Sequence, residues 1–342
     1  MATATTMTYP RADRLRQALR AAGIDLLALA PTNNLRYILG GFAPPGDERF
    51  CALLVTADGI AMVIPSLNLQ QAREHLNDVP FYDYADEAGP SAALAKALRF
   101  LQAAQAPIVA VDEEMYADHL LVLQAVLPTA TYRRAGEVVA PLRSRKDAAE
   151  IELLKAAAAT ADAGVRAVYE ALRPGITEVQ LVDVAGTAMR RAGADAVAFA
   201  GVGAGAHSAL PHHHPDQTAL RAGDVVFIDI GSTLNGYCSD ITRMAIVGGA
   251  APDPEFERVR AVVEAAVRAA LDTARPGVAA RAVDAAAREV ITAAGYGENF
   301  VHRTGHGLGL SVHEPPYITS TEDLVLDEGM VFSIEPGIYL PG

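Results

Sequence analysis

The sequence predicts two domains of different class, an α/β domain followed by an α+β domain, from three observations. Over roughly the first 130 residues, short apolar runs alternate with amphipathic stretches, as strands alternate with helices. Beyond that, long helical patterns come in pairs beside apolar runs joined by hairpin-type turns. A chain of 342 residues with 51% hydrophobic content is also long enough for two separate cores. The expected boundary gives residues 1–137 to the first domain and 138–342 to the second.

In the first domain, Arg11–Ala22 places Leu15, Ala18, Leu19 and Ala22 on one stripe, and Gly23 is a natural helix stop. Ile24–Leu29 reads as a buried strand. Cys51–Thr56 and Ile60–Ile64 flank Ala57-Asp58-Gly59, a hairpin signal. Helices are expected at Leu67–Leu76, Ser91–Ala103 and Tyr116–Leu127, with a strand at Ile108–Val111, giving a mixed sheet without a glycine-rich phosphate loop.

A charged, proline-containing link, Pro141-Leu142-Arg143-Ser144-Arg145-Lys146, precedes a helix from Asp147 to about Leu172, capped by Asp147 with Glu150 three residues on. Pro174-Gly175 ends it, and Thr177-Glu178 opens a second helix to about Arg191. Strands follow at Ala196–Val202, Asp224–Ile230 and Tyr237–Val247, then helices at Pro254–Thr273 and Ala279–Ala294, and a last strand at Met330–Tyr339.

Composition narrows the function. Forty-one acidic against 28 basic residues give a net charge of −13, and the longest basic cluster is the short Arg143–Lys146 stretch, so nucleic acid is not an expected partner. Two cysteines cannot build a disulfide framework. The first ten residues lack the cationic and apolar regions of a signal peptide, and no apolar run reaches membrane-spanning length. A cytoplasmic protein without membrane partners is expected.

Most of the nine histidines lie between His207 and His313, interleaved with acids at strand ends. Asp229 sits inside Val225-Val226-Phe227-Ile228-Asp229-Ile230-Gly231, where an unpaired carboxylate would cost several kcal/mol. Asp240 follows Asn235-Gly236, the best short hairpin turn in the chain. With a tight turn, Asp229 faces Thr242 and Asp240 is its diagonal neighbour. With the turn one residue earlier, the aspartates pair directly. Either way both carboxylates share a face within roughly 5–8 Å, which calls for a metal between them or a proton on one. Two solvated aspartates at a hairpin are the plain alternative.

His302-Arg303-Thr304-Gly305-His306-Gly307-Leu308-Gly309 spaces two histidines four apart, yet its glycines argue for extended or bent backbone rather than helix. His313-Glu314-Pro315-Pro316 supplies a third histidine, and Glu335 is another acid in an apolar strand, just before Pro336-Gly337. In Leu210-Pro211-His212-His213-His214-Pro215 one histidine at most is expected to act. Asp229, Asp240, His306 and Glu335 together offer oxygen ligands and one imidazole, a set suited to Mn²⁺, Co²⁺, Zn²⁺ or Fe²⁺. Bridging carboxylates favour two ions roughly 3.5–4 Å apart.

This ordered series, from Ala209-Leu210-Pro211-His212 to Glu335-Pro336-Gly337, resembles the pita-bread metallopeptidases over roughly residues 140–342. That family comprises methionine aminopeptidase, Xaa-Pro aminopeptidase, Xaa-Pro dipeptidase (prolidase) and creatinase. Asn33-Asn34-Leu35-Arg36-Tyr37-Ile38-Leu39-Gly40-Gly41 and the Arg143–Glu150 junction resemble the creatinase/prolidase N-terminal domain, which removes methionine aminopeptidase from consideration. The resemblance implies two divalent ions, Mn²⁺ foremost with Co²⁺ or Zn²⁺ as alternatives. Asp229, Asp240, His306 and Glu335 would be ligands, Asp240 bridging and Glu335 also carrying protons. It implies that His212, His302 and His313 line the substrate, His313 stabilising the oxyanion, and it suggests a homodimer.

The implied activity is hydrolysis of the Xaa-Pro bond of a small peptide, as a dipeptidase or as an Xaa-Pro aminopeptidase on longer peptides. Arg303 is the candidate for holding a proline carboxylate. Creatinase-like hydrolysis without metal and an inactive binding module are the rivals. The family's fifth ligand, a glutamate shortly after the Glu-Pro-Gly segment, is expected beyond Gly342, in a domain that reads as cut short at its C-terminus.

Overall fold

The computed structural model describes residues 11–341 apart from 47 and 250–252, and it divides into two units, Met1–Arg143 and Ser144–Gly342. The boundary expected at 138 lies in the helix that closes the first unit. There the Pro141 stretch read as a link is helical, Gly136–Ser144.

The first unit is α1 (Ala12–Ala22), β1 (Leu26–Leu29), α2 (Asn33–Ile38), β2 (Ala52–Val55), β3 (Ile60–Pro65), α3 (Ser66–His75), β4 (Phe81–Tyr84), α4 (Ser91–Phe100), β5 (Ile108–Val111), α5 (Ala117–Val126), β6 (Thr131–Arg134) and α6 (Gly136–Ser144). Its mixed sheet runs β4-β3-β2-β1-β5-β6, with β1–β2 and β2–β3 antiparallel and the other pairs parallel. Leu26, Ala28, Leu54 and Val63 of the sheet pack with Leu94, Ala97 and Leu123 of the helices, the apolar burial that holds the layers together.

The second unit opens with α7 (Ala148–Ala171) and α8 (Glu178–Arg191), each started by a complete capping box, Asp147 with Glu150 and Thr177 with Gln180. These helices cover one face of the sheet built from β7 (Ala196–Ala204), β8 (Val225–Leu234), β9 (Tyr237–Cys238) and β10 (Ile241–Ile246). There Ala161, Val165, Leu181, Ala185 and Met189 meet Val226, Ile228 and Ile230. The order is β10-β8-β7, all antiparallel, with β9 paired to β8. Then come α9 (Pro254–Thr273), α10 (Ala280–Ala293) and the ribbon of β11 (Gly305–Gly307) and β12 (Glu314–Ile318). Val283, Ala287 and Ile291 of α10 bury against Phe300, Ile318 and Leu326.

Two expected strands differ. Tyr237–Val247 is interrupted at Ser239-Asp240, because Ser239 Oγ takes the Ser232 N–H and so breaks the ladder without shifting its register. Met330–Tyr339 is an extended segment rather than a strand. It crosses β11 through Val331 O, Ser333 N and Glu335 N, which bond Leu308 N, His306 O and Thr304 O.

Candidate metal centre

Asn235 and Gly236, at φ 49° and 82°, form a two-residue turn whose left-handed backbone matches the twist of the strands. It pairs Leu234 with Tyr237 and, further along, Asp229 with Thr242. The tight-turn register therefore holds, the direct Asp229–Asp240 pairing does not, and Thr242 Oγ1 donates to Asp229 Oδ1 at 2.8 Å. Burial, followed by the neighbouring charge of Asp240, pushes the Asp229 carboxyl up to about 6.

The β11 strand is held at its start by Asp284 of α10, which is fully buried and accepts the N–H and Oγ–H of Thr304 at 3.2 and 2.7 Å. Alternation then turns His306 inward, leaving it 2% exposed. Glycine is required at 305, since a methyl there would run into the carbonyl oxygen of Ser333. That close approach lets the segment after Met330 lie against β11 and brings Glu335 to His306.

His306 Nδ1 is 3.1 Å from Gly307 O; a carbonyl only accepts, so Nδ1 donates. Nε2 faces two carboxylates, 3.3 Å from Asp240 Oδ2 and 3.0 Å from Glu335 Oε1. Burial pulls the imidazole pKa down, but the hydrogen bonds to Asp240 and Glu335 outweigh it and raise it to about 9. Glu335 shifts the other way. Burial alone would raise it, while His306 and the Ser333 hydroxyl, which donates to Oε1 at 2.9 Å, hold it below the usual carboxylate range.

This arrangement fits divalent cations. A neutral imidazole with its proton on Nδ1 would aim a lone pair at two carboxylates, a contact that only a proton or a cation at Nε2 makes favourable. Asp229, half-buried beside them, adds a third carboxylate whose charge burial disfavours. Three carboxylates and one imidazole are the donors of a hard-to-borderline divalent site.

The remaining expected residues fall around this centre. The exposed His313 packs edge-on against His306, ring centroids 4.1 Å apart, and Asp240, His306 and His313 offer ligand atoms within 4.8 Å of one another. Burial, then the charges of His306 and Arg303, lower the His313 pKa. Arg303 stacks its guanidinium 4.7 Å over the Tyr317 ring. His302 contacts Tyr339, its Nε2 2.8 Å from the phenol oxygen. His212 is exposed and stands outside these contacts.

Within the histidine tract, His213 has a different partner. Its Nε2 and His207 Nδ1 donate to the fully buried Glu178 at 2.8 and 2.9 Å, and the two rings stack at 4.0 Å. Glu178 also accepts the N–H groups of Ala204 and Asp216. These four donors pin the 204–216 segment to the start of α8. Although this trio has metal-ligand chemistry, the donors already satisfy the carboxylate.

Ser333 and Tyr339 were missed by sequence reasoning. Ser333 could have been found by alternation, two residues before Glu335. Tyr339 lies past Pro336-Gly337, where periodicity stops carrying information.

The second unit thus carries the carboxylate-rich donor set of a divalent-metal centre. Residues 152–342 match metallopeptidase family M24 and residues 11–145 the creatinase/prolidase N-terminal domain. The chain belongs to metallopeptidase family M24, the pita-bread family. Among its relatives, a probable dipeptidase PepE of Mycobacterium tuberculosis is 41% identical over 98% of this chain and 88% of its own length. An Xaa-Pro dipeptidase of Lactobacillus helveticus is 33% identical over 96% and 90%. The crystal structure of dipeptidase PepE from Mycobacterium ulcerans aligns with a TM-score of 0.90 at 41% identity, covering 97% of this chain and 89% of that one. Recombinant prolidase from Thermococcus sibiricus aligns at 0.91 and 34%, covering 98% and 92%.

Proposed function

We propose that the chain is an Xaa-Pro dipeptidase whose Asp229, Asp240, His306 and Glu335 hold two divalent ions, Mn²⁺ foremost, with Co²⁺ or Zn²⁺ as alternatives. A cytoplasmic homodimer is part of the same reading. The observation that carries it is the convergence of Asp240 and Glu335 on His306 Nε2, with Asp229 alongside. Dipeptidase names among relatives covering nearly the whole chain favour dipeptides over longer peptides.

Bound divalent ions supply an acidified water and polarise the scissile carbonyl. The protein's own residues do the rest. Glu335, which accepts the Ser333 hydroxyl at Oε1, is the base that takes the water's proton. It returns that proton to the proline nitrogen, which has no hydrogen in the tertiary amide and cannot leave as a neutral amine without one. His313, whose imidazole burial shifts toward the neutral form, offers an N–H to the oxygen on which negative charge develops. Arg303, fixed on Tyr317 near His313, is the cation for the substrate's carboxylate. His212 and His302 belong to the substrate's surroundings.

The test is release of the N-terminal alanine by Mn²⁺-loaded protein from Ala-Pro and from Ala-Pro-Ala. Fast release from the dipeptide alone is expected. Preference for cleavage ahead of proline in the tripeptide would assign an Xaa-Pro aminopeptidase instead, and no cleavage of either would refute both.

A further inference from the structure

We propose that Glu314 is a positioning residue for His313, and that Lys146 is the buried cation that compensates its carboxylate. This rests on the role given to His313 above and adds what holds that histidine in place.

The His313 ring is exposed and packs on the His306 ring, and among the described residues no group hydrogen-bonds to it. Its place is therefore set by the backbone that carries it. That backbone, residues 308–313, lies outside helix and strand, so the regular ladder does not fix it either.

Glu314 supplies the hold. Its Oε2 accepts the Ser311 N–H at 3.3 Å, closing a turn with Val312 and His313 between its ends. The carboxylate lies against Gly309, where a methyl would strike it, so the turn closes only because 309 has no side chain. β12 begins at Glu314, which pairs with Gly307 beside His306. Successive side chains of an extended chain point to opposite sides. Glu314 is turned inward and buried, and His313 is turned outward onto His306.

The other oxygen of that carboxylate has its own partner. Oε1 lies 2.8 Å from Lys146 Nζ, and the two side chains are 1% and 5% exposed. Lys146 is itself fixed, since its N–H donates to Gly329 O at 2.8 Å and the next residue caps α7. A buried ion pair gains little over apolar side chains of the same shape, whereas removing one partner is costly. Stability alone therefore does not account for two charges kept here. Direction does: with one oxygen on a cation and the other on an N–H, the carboxylate has a single orientation, and the residue before it inherits that orientation.

The experiment uses full-length protein, loaded with Mn²⁺ for kinetics and with Zn²⁺ for NMR. Lys146→Met and Glu314→Gln each leave one partner of the pair unmatched and should lower the urea midpoint. Two double variants remove both charges. Lys146→Met/Glu314→Leu loses the acceptor for Ser311 N–H, while Lys146→Met/Glu314→Gln keeps an amide oxygen for it. Both should recover most of the midpoint and bind metal in wild-type stoichiometry. With Leu at 314, kcat on Ala-Pro should fall about tenfold or more with KM changed less than about twofold. The His313 ring-proton signal, assigned by its loss in His313→Ala, should also move. With Gln at 314, part of kcat and of the signal position should return, which a merely structural pair would not predict. In the His313→Ala background the Leu double variant should lower kcat no further.

Wild-type kcat and His313 signal in the Leu double variant, equal losses in both double variants, or a further loss in the His313→Ala background would overturn the proposal. The NMR reading needs no turnover. If the signal moves as expected while wild type cleaves no Ala-Pro, the positioning stands and the dipeptidase reading falls; if Ala-Pro is cleaved and neither signal nor kcat responds, the reverse holds.

Discussion

Loading the metal-free protein with a divalent cation should expel protons in a number set by two side chains. His306 titrates at about 9, so at pH 7 it is about 99% protonated in the absence of metal. A ligating imidazole must be neutral, so that proton has to leave. Asp229, at about 6, holds about 0.1 proton at pH 7 and about 0.9 at pH 5. Glu335 is held ionised. The expected release is therefore close to one proton at pH 7, close to two at pH 5, and near zero at pH 10.

The same numbers predict affinity. Competition by the His306 proton weakens metal binding at pH 7 about 100-fold relative to pH 10, which is about 2.7 kcal/mol. Between roughly pH 6 and 9 the logarithm of the binding constant should rise by about one for each pH unit, and by about two below pH 6. The assay is calorimetric titration of Mn²⁺ into stripped protein at fixed pH, in several buffers of different ionisation enthalpy. The slope of apparent enthalpy against buffer enthalpy counts the protons. A slope near zero at pH 7 would refute the reasoning, because it would mean that no proton stands at Nε2 for the metal to replace.

Without metal, stability should decline between about pH 6.5 and 9, above the range in which the lowered His313 pKa works in the opposite direction. The His306 contribution is fully present below its unfolded pKa of 6.5 and is lost as pH rises through 9, while the penalty for ionising Asp229 has already set in between 3.8 and 6. Denaturant midpoints of stripped protein that rise over this range would contradict it. Ser333→Ala removes the hydroxyl that serves Glu335 Oε1 and the His306 N–H, and should lower stability by about 1 kcal/mol and kcat more than KM, read by urea melts and steady-state kinetics. Gly305→Ala forces a methyl into the Ser333 carbonyl and should cost about 2 kcal/mol or more together with metal affinity; unchanged Mn²⁺ binding would show that the close approach is not what brings Glu335 to His306. Glu178→Gln leaves two of its four buried donors poorly served and should cost about 2–3 kcal/mol, while metal stoichiometry stays the same; loss of a bound equivalent would reassign that cluster.

Much of the fold was legible because local signals agreed with tertiary need. Asp147 with Glu150 marks a helix start by backbone chemistry alone, and the capping box forms there. The Asn235-Gly236 turn narrowed the hairpin to two registers, and the tight one, pairing Asp229 with Thr242, is the one that forms. Where signals are weak, legibility failed. Phe81–Tyr84 and Thr131–Arg134 are edge strands of four residues with little burial, and Pro141 sits inside a helix although proline usually marks a link. The break at Ser239-Asp240 comes from one hydroxyl capturing one N–H, which no periodicity records.

The site shows the same division from the other side. Asp229 and Glu335 stood out because each contradicts the apolar run around it, and such a contradiction persists in a folded protein only where something compensates it. His306 stood out because glycines flank it. Which nitrogen faces the carboxylates, however, is set by Gly307 O, and which atom of the neutral His302–Tyr339 pair donates is set by Arg303 O. Both carbonyls belong to the residue directly after the histidine, so in each case the chain's own backbone chooses the tautomer. At His306 that choice frees Nε2 for a cation; at His302 it hands Nε2 to a phenol. Two histidines four residues apart on one segment thus receive opposite tasks from the same local device, and the difference lies in what the 330–339 segment brings to each, a carboxylate to one and a tyrosine to the other.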